Sequence, residues 1–325
     1  MLATMTRRAL VLFVVISLLW GLPYLLIKVA VTEVEPTVVV FVRVAVSALV
    51  LLPLALARGA LQPLAGHWRV ILALSVLEVA APFLLIAFGE QHITSSLAGL
   101  LIAADPLFIV LLALRFDASE RASGRRLIGL LLGFVGVVVL LGLDPGGDAL
   151  GLLGGAMVLL AAVCYAAGAL LIKRVADVPP LGSVAASLSL ASLWLLPAAL
   201  LTLPNRLPSS TVMASLLLLG LACTALGFIV YFSLIAEAGA TRASLITYVN
   251  PAVAVMLGVA VLHEPLTAAT LAGFGLILAG CWLSTRTAPL RTDRPRDPGR
   301  GDTAPAGSAR QRPARPDPGR APGAY

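Results

Sequence analysis

The chain alternates between long apolar runs and short polar connections. We count ten runs long enough to cross a bilayer as a helix, which takes about 20 residues. The pattern therefore predicts an all-α integral membrane protein with ten transmembrane helices. The fifth run is short, and we expect it to cross with little tilt or where the lipid bilayer is thinned. The runs are 9–31, 36–57, 70–90, 93–115, 127–143, 151–172, 181–203, 212–236, 241–262 and 266–285.

Landmarks recur along the chain at a nearly constant spacing. The tetrapeptide 25–28, LLIK, returns 145 positions later as 170–173, and Pro251 follows Pro106 at the same spacing. Beyond these prolines the spacing is 144, and it relates Glu120 to Glu264, Gly129 to Gly273 and Gly136 to Gly280. The pattern predicts two five-helix repeats, 9–143 and 151–285. Because five is odd, the second repeat enters the membrane from the opposite side, which is the inverted-repeat architecture of transporters.

Charge in the connections predicts the orientation. Nine basic residues follow the second, fourth, sixth and eighth runs, whereas the connections after the third, fifth, seventh and ninth hold only Arg206. The positive-inside rule then places both termini in the cytoplasm. The first run is too long for the apolar part of a signal peptide, so we interpret it as a retained helix. We expect a multi-pass protein of a bacterial inner membrane.

Composition agrees with this class, because 59% of the residues are hydrophobic and the mean hydropathy is +1.00. A soluble domain is about 45–50% apolar. The net charge of +7 does not indicate nucleic-acid binding, since nine of the 21 arginines follow Ser284. Residues 286–325 are rich in Pro, Gly, Arg and Asp, and we expect a disordered cytoplasmic tail.

Four ionisable residues fall inside apolar runs, where each is a functional candidate: Lys28, Arg43, Glu78 and Asp105. Asp105 lies about 18 Å into the fourth run, near the midplane. It is either a proton-coupling or substrate-binding carboxylate, or a partner of Arg43 that locks two helices together. Arg43 suits a substrate carboxylate or a structural pair with Asp105 or Glu78. Glu78 is a cavity candidate, and Lys28 marks the outer interface.

Two polar residues followed by proline interrupt the fourth and ninth runs, Asp105-Pro106 and Asn250-Pro251. Such breaks at matching places in two halves indicate the binding site of a transporter. Pro23 is a further expected helix break. Asn250 is a ligand hydrogen-bonding candidate. Four aromatic residues either line the cavity or simply pack: Trp20, Tyr24, Tyr165 and Tyr248.

Other residues point to structural roles. The three histidines are too dispersed for a metal site, and we interpret Glu120 and Glu264 as turn or capping residues. The pairs Gly129/Gly133 and Gly151/Gly155 fit helix packing. No cofactor is expected.

The ordered motifs resemble the EamA family of the drug/metabolite transporter superfamily. They are Trp20-Gly21 with Lys28, Pro36 with Arg43, the two central prolines, and in each half a Glu followed by Gly nine and sixteen residues later. The resemblance covers about residues 10–285 and implies a ten-helix permease, mostly an exporter of amino acids, other metabolites or drugs. The second half departs from it, with Tyr165-Ala166 opposite Trp20-Gly21 and no counterpart of Pro23.

The predicted function is secondary transport without nucleotide hydrolysis by the chain itself, since no GxxxxGK[ST] loop is present. We expect alternating access and export of a small metabolite, coupled to protons or working by facilitated diffusion. The expected partners are a small-molecule substrate, the lipid bilayer and protons, without nucleic acid; a monomer fits the sequence. A membrane-embedded enzyme and a structural membrane subunit are the alternatives, and the charged midplane and inverted repeats speak against the second.

Overall fold

A computed structural model describes residues 5–116, 124–142 and 149–285, and these residues contain helices but no β-strand. The predictions for Glu120 and for the tail after residue 285 lie outside them. The helices are α1 Arg7–Ala30, α2 Pro36–Ala57, α3 Trp68–Leu74, α4 Ala81–Gly89, α5 Ser95–Ile102, α6 Asp105–Phe116, α7 Gly124–Gly142, α8 Ala149–Ile172, α9 Pro180–Leu201, α10 Ser210–Leu218, α11 Gly227–Ala238, α12 Ala240–Ala243, α13 Ile246–Leu262 and α14 Ala268–Thr285.

Eight helical stretches among the described residues are long and apolar enough to cross a membrane. Some join several elements; Gln62–Gly89, for example, contains α3 and α4. The two remaining apolar helices, α13 and α14, are shorter, at 17 and 18 residues. The all-helical membrane class is thus established, while ten crossings remain a prediction.

Large apolar side chains on the outside of the helix bundle indicate a lipid-facing surface. Leu49 on α2 is 75% exposed and Leu201 on α9 is 87% exposed. A water-soluble protein rarely exposes contiguous apolar surface on this scale. In hydrocarbon such side chains need no further cover, because lipid tails are as apolar as leucine.

Helices α7 and α14 pack through glycines. Gly129 approaches the backbone of Gly280 and Ser284, and Gly136 approaches the backbone of Gly273. The start of each helix therefore meets the end of the other, so the two helices are antiparallel. The 144-residue spacing exchanges the two contacts, because it carries 129 to 273 and 136 to 280. A local twofold axis perpendicular to both helices exchanges the two contacts in this way.

The same exchange appears elsewhere in the packing. Helix α1 packs against α13, and α8, which corresponds to α1 in the second repeat, packs against α5 and α6. Small residues allow helices α1, α5 and α13 to pack at short distances where they cross. Gly21 on α1 lies against Val253 and the carbonyl oxygen of Asn250, and Gly99 on α5 lies against Ala254 and the ring of Tyr24. Helices α1, α5 and α13 therefore cross one another at close range.

Candidate functional site

The helix break before Asp105 is caused by Pro106, the residue that follows it. Helix α5 ends at Ile102, Ala103 and Ala104 form a turn, and α6 begins at Asp105. Pro106 has no N–H, so Leu107 is the first residue of the new turn to bond back, donating to the carbonyl of Ala104 at 2.9 Å. The Oδ1 atom of Asp105 is buried without a hydrogen-bond partner.

The second half does not repeat this break at the matching position. Helix α13 runs without interruption through Asn250 and Pro251, and the chain turns earlier, at Ser244 and Leu245. Because that turn leaves Pro251 near the beginning of α13, its missing N–H removes only one bond from the first turns. Asn250 nevertheless resembles Asp105 in one respect, since its Oδ1 is also buried without a partner.

Pro23 likewise does not interrupt its helix. Helix α1 continues from Arg7 to Ala30 with this proline inside it. The expected breaks at Pro23 and Pro251 are therefore corrected, and in both cases the surrounding helix packing outweighs the loss of one hydrogen bond.

Arg43 on α2 is buried, with 8% of its surface exposed. Its Nε donates a hydrogen bond to Oγ1 of Thr224 at 2.9 Å, and its guanidinium carbon lies 3.7 Å from the centroid of the Phe83 ring. Among the described residues, no carboxylate lies within 4.0 Å of Arg43. The ion pair with Asp105 or Glu78 that the sequence left open is therefore not present.

Two segments of the described residues are π-helical, Ser75–Ala80 and Leu219–Leu226. They fall at matching positions of the two repeats, since the 145-residue spacing carries Glu78 to Cys223. A π-helix is rare and is found frequently at functional sites. Here the first segment carries Glu78, and the second carries Thr224, the hydrogen-bond partner of Arg43.

The side chain of Glu78 points toward helix α8. Its carboxylate lies against Gly168 of α8, where a larger residue would displace it. Tyr165, one turn earlier on α8, is within electrostatic range of Arg43, Tyr24, Glu78 and Asp105. These four residues and Tyr165 are five of the predicted residues, and we call this group the centre of the molecule.

The aromatic candidates Trp20, Tyr24 and Tyr248 take part in the packing between helices. Trp20 belongs to an aromatic cluster between α1 and α11, with its ring centroid 4.7 Å from Tyr231 and 5.7 Å from Phe228. Tyr24 packs against α5 at Gly99. Tyr248 packs against the buried cluster that includes Leu101 and Leu107.

Lys28 lies at the end of α1 that we expect to face outward, and it is only partly exposed. Its Nζ donates to the carbonyl oxygens of Glu90 and Ile93 at 2.6 and 2.7 Å. A cation at this position satisfies carbonyls at the end of α4, as the helix dipole favours. Lys28 is thus a helix-capping group that joins α1 to the end of α4, and its place at the outer interface stays a prediction.

Glu264 caps a helix of the other repeat. Its Oε1 accepts hydrogen bonds from the N–H and Oγ of Ser95, at 2.7 and 2.9 Å, and its Oε2 accepts from the N–H and Oγ of Ser96, the former at 2.9 Å. The expected capping role is confirmed for this residue. A carboxylate at the start of α5 is favoured both by the free N–H groups and by the helix dipole.

Glu33 makes the converse contact, from the first repeat to the second. Its carboxylate accepts from the N–H and the hydroxyl of Ser209, both at 2.7 Å, at the start of α10. These bonds, the backbone one first, hold the pKa of Glu33 below its usual range. Each repeat therefore caps one helix of the other.

Several residues of the site were not identified as candidates from the sequence. Glu90 stands at the last position of the third apolar run, 70–90, and was not among the ionisable candidates. Thr224 is the polar residue next to the position that corresponds to Glu78, a signal that the repeat spacing could have supplied. Phe83 had no such signal. The described residues contain no group of three or more potential metal ligands.

Comparison with known proteins gives one family. The EamA-like transporter family matches residues 7–142 and 152–286. An uncharacterized transporter of Bacillus subtilis, YvbV, is 28% identical over 87% of this chain and 93% of its own. A probable amino-acid metabolite efflux pump of Salmonella typhimurium is 28% identical over 86% of this chain and 95% of its own. A solved crystal structure with 22% identity has a TM-score of 0.61 and covers 85% of this chain and 96% of that one, a likeness of fold alone.

Proposed function

Since the chain belongs to the EamA-like transporter family, we propose that it is a proton-coupled secondary exporter of small zwitterionic metabolites, of the amino-acid class. The relatives at similar identity include probable amino-acid metabolite efflux pumps, which supports the class. Transport proceeds by alternating access between the two repeats, with both termini in the cytoplasm of a bacterial cell.

One observation carries the proposal: a guanidinium and a carboxylate, Arg43 and Asp105, are both within electrostatic range of Tyr24 and Tyr165 and do not pair with each other. Arg43 has hydrogen-bond capacity beyond its single bond to Thr224. Asp105 has a buried oxygen without a partner. An unpaired charge at this depth is expensive unless a ligand neutralises it. A zwitterion supplies both partners, a carboxylate for Arg43 and an ammonium for Asp105.

Proton coupling follows from competition at Asp105. The ammonium of the substrate and a proton cannot both neutralise the same carboxylate. Protonation from the outer side therefore releases the substrate outward, and loss of that proton to the cytoplasm prepares the site for the next substrate. Asn250, the matching residue, carries no charge, so the coupling group belongs to the first repeat only.

Asp105→Asn tests this proposal. We expect cells with this variant to lose export, because the amide binds no proton and attracts an ammonium less. Asp177→Asn is the matched control, since its carboxylate is 74% exposed and lies near His67, away from the centre. The measurement compares amino acids and other metabolites in cells and medium for the wild type, both variants and empty vector at equal membrane levels. Unchanged export by Asp105→Asn would overturn the proposal.

A further inference from the structure

We propose that Glu90 is the outer proton-binding group of the transporter, which receives a proton from the external solution and passes it toward Asp105 past Tyr24. The inference rests on the proposed function, since it supplies the route by which protons reach the coupling carboxylate.

The carboxyl group of Glu90 is unusual in its environment. The residue is 0% exposed, and both of its carboxylate oxygens are buried without a hydrogen-bond partner. Burial of a charged carboxylate without hydrogen bonds is strongly unfavourable, so the neutral acid is favoured in this closed arrangement.

The nearby charged groups are engaged with other atoms. Lys28 of α1 directs its Nζ to backbone carbonyls, including that of Glu90 itself, and not to the carboxylate. Glu264, in the connection after α13, is engaged with Ser95 and Ser96. The charges acting on Glu90 are those of Lys28, Glu264 and, from α2, Arg43. On the α8 side the neighbouring contact is glycine to glycine, Gly89 with Gly154.

These surroundings allow both protonation states. Two cations favour the carboxylate, whereas Glu264 and the burial oppose it. Water entering the site, or Lys28 turning to the carboxyl group, therefore favours release of the proton. A purely structural acid would be expected to have a hydrogen-bond acceptor for its proton, and Glu90 has none.

The position of Glu90 suits a proton route. It follows directly after the stretch Gln62–Gly89, and its neighbour Gln91 lines a half-open pocket with Glu33 and Glu35. On its other side, Tyr24 is within electrostatic range of Glu90 and of Asp105. Glu90 therefore lies between the outer pocket and the centre of the molecule.

The transfer step balances without another reactant. The O–H bond of the Glu90 carboxylic acid breaks, and an O–H bond forms on the Asp105 carboxylate. Glu90 gains the negative charge that Asp105 loses, and the Tyr24 hydroxyl or a water molecule bridges them by accepting one proton and donating another. Glu90 is then reprotonated from the outer pocket.

Glu90→Gln tests the inference, because it keeps the shape of the side chain and removes its proton chemistry. Cells preloaded with amino acids are transferred to acidic or alkaline medium, and the primary amines released are measured. A second assay follows exchange of internal amino acids against a labelled amino-acid mixture outside, without a pH gradient. We expect Glu90→Gln to retain exchange and to lose the stimulation by acidic medium. Asp177→Asn, at the exposed carboxylate near His67, serves as the control and should keep both.

The outcomes separate the inference from the proposed function. Full stimulation of Glu90→Gln by acidic medium would overturn the inference alone if Asp105→Asn has lost that stimulation. Loss of exchange as well as stimulation would assign Glu90 to the structure and also overturn it. A wild-type protein whose export is insensitive to the gradient would refute proton coupling itself.

Discussion

At the scale of single residues, two cations of this bundle, Arg43 and Lys28, are held by groups other than carboxylates. Arg43 is held by a hydroxyl and an aromatic face, and Lys28 by backbone carbonyls. The sequence identified both as candidates, because a charge inside an apolar run is conspicuous. It did not identify Thr224 as the partner of Arg43, because the two are separated by 181 positions and only folding brings them together.

Arg43→Lys tests the role of the planar guanidinium. Lysine keeps the charge but lacks the fork that binds a carboxylate with two hydrogen bonds and stacks on a ring. Loss of one charge-assisted bond is worth about 1.5–3 kcal/mol, so we expect an apparent affinity for exported amino acids at least tenfold weaker. Concentration dependence of the exchange assay measures it.

Arg58→Lys is the matched control for this change, because Arg58 is exposed at the end of the same helix. We expect it to behave as the wild type. Equal affinities of Arg43→Lys and the wild type would show that the guanidinium does not contact the substrate.

At the scale of elements, helix ends join the two repeats. Glu264 of the second repeat caps α5 of the first, and Glu33 of the first caps α10 of the second. The capping role of Glu264 was predictable from its place in a connection, whereas the helix that it caps was not. The paired π-helical segments were also unpredictable, since their residues carry the same apolar pattern as an α-helix.

Glu264→Ala should destabilise the protein by about 2 kcal/mol, the upper part of the range for the loss of an N-cap. The N–H groups of Ser95 and Ser96 lose their acceptor, and both are buried. Thermal unfolding in detergent measures the effect. Glu35→Ala is the control, because Glu35 precedes α2 without a capping side-chain bond; equal destabilisation by both changes would contradict the assignment.

At the scale of the whole molecule, the two-repeat architecture was readable from the spacing of prolines, glycines and glutamates. The order of helices in each repeat followed from the apolar runs. The closeness of α7 and α14 did not, since glycine motifs indicate that a helix packs but not against which partner. In the folded protein the partner is α14, because Gly129 and Gly136 carry no side chain and its backbone can approach them closely.

Gly136→Ala tests this contact. A Cβ atom at this position would lie 2.7 Å from the carbonyl oxygen of Gly273, so the helices must separate. We expect destabilisation of about 1–3 kcal/mol, as for overpacking in general, measured as a lower unfolding temperature in detergent. Gly275→Ala on α14 has open space around it and should not lower stability, because alanine favours the helix. The same stability for both variants would show that the contact is loose.

The glycine contact between α7 and α14 has a consequence for ancestry. Because the two contacts exchange under the repeat spacing, this surface is self-complementary in the manner of a twofold homodimer interface. A single ancestral half, inserted in both orientations, would have paired Gly129 of one copy with Gly136 of the other. The interface would then have existed before gene duplication and fusion, and the fused chain required only a new segment to connect the two halves.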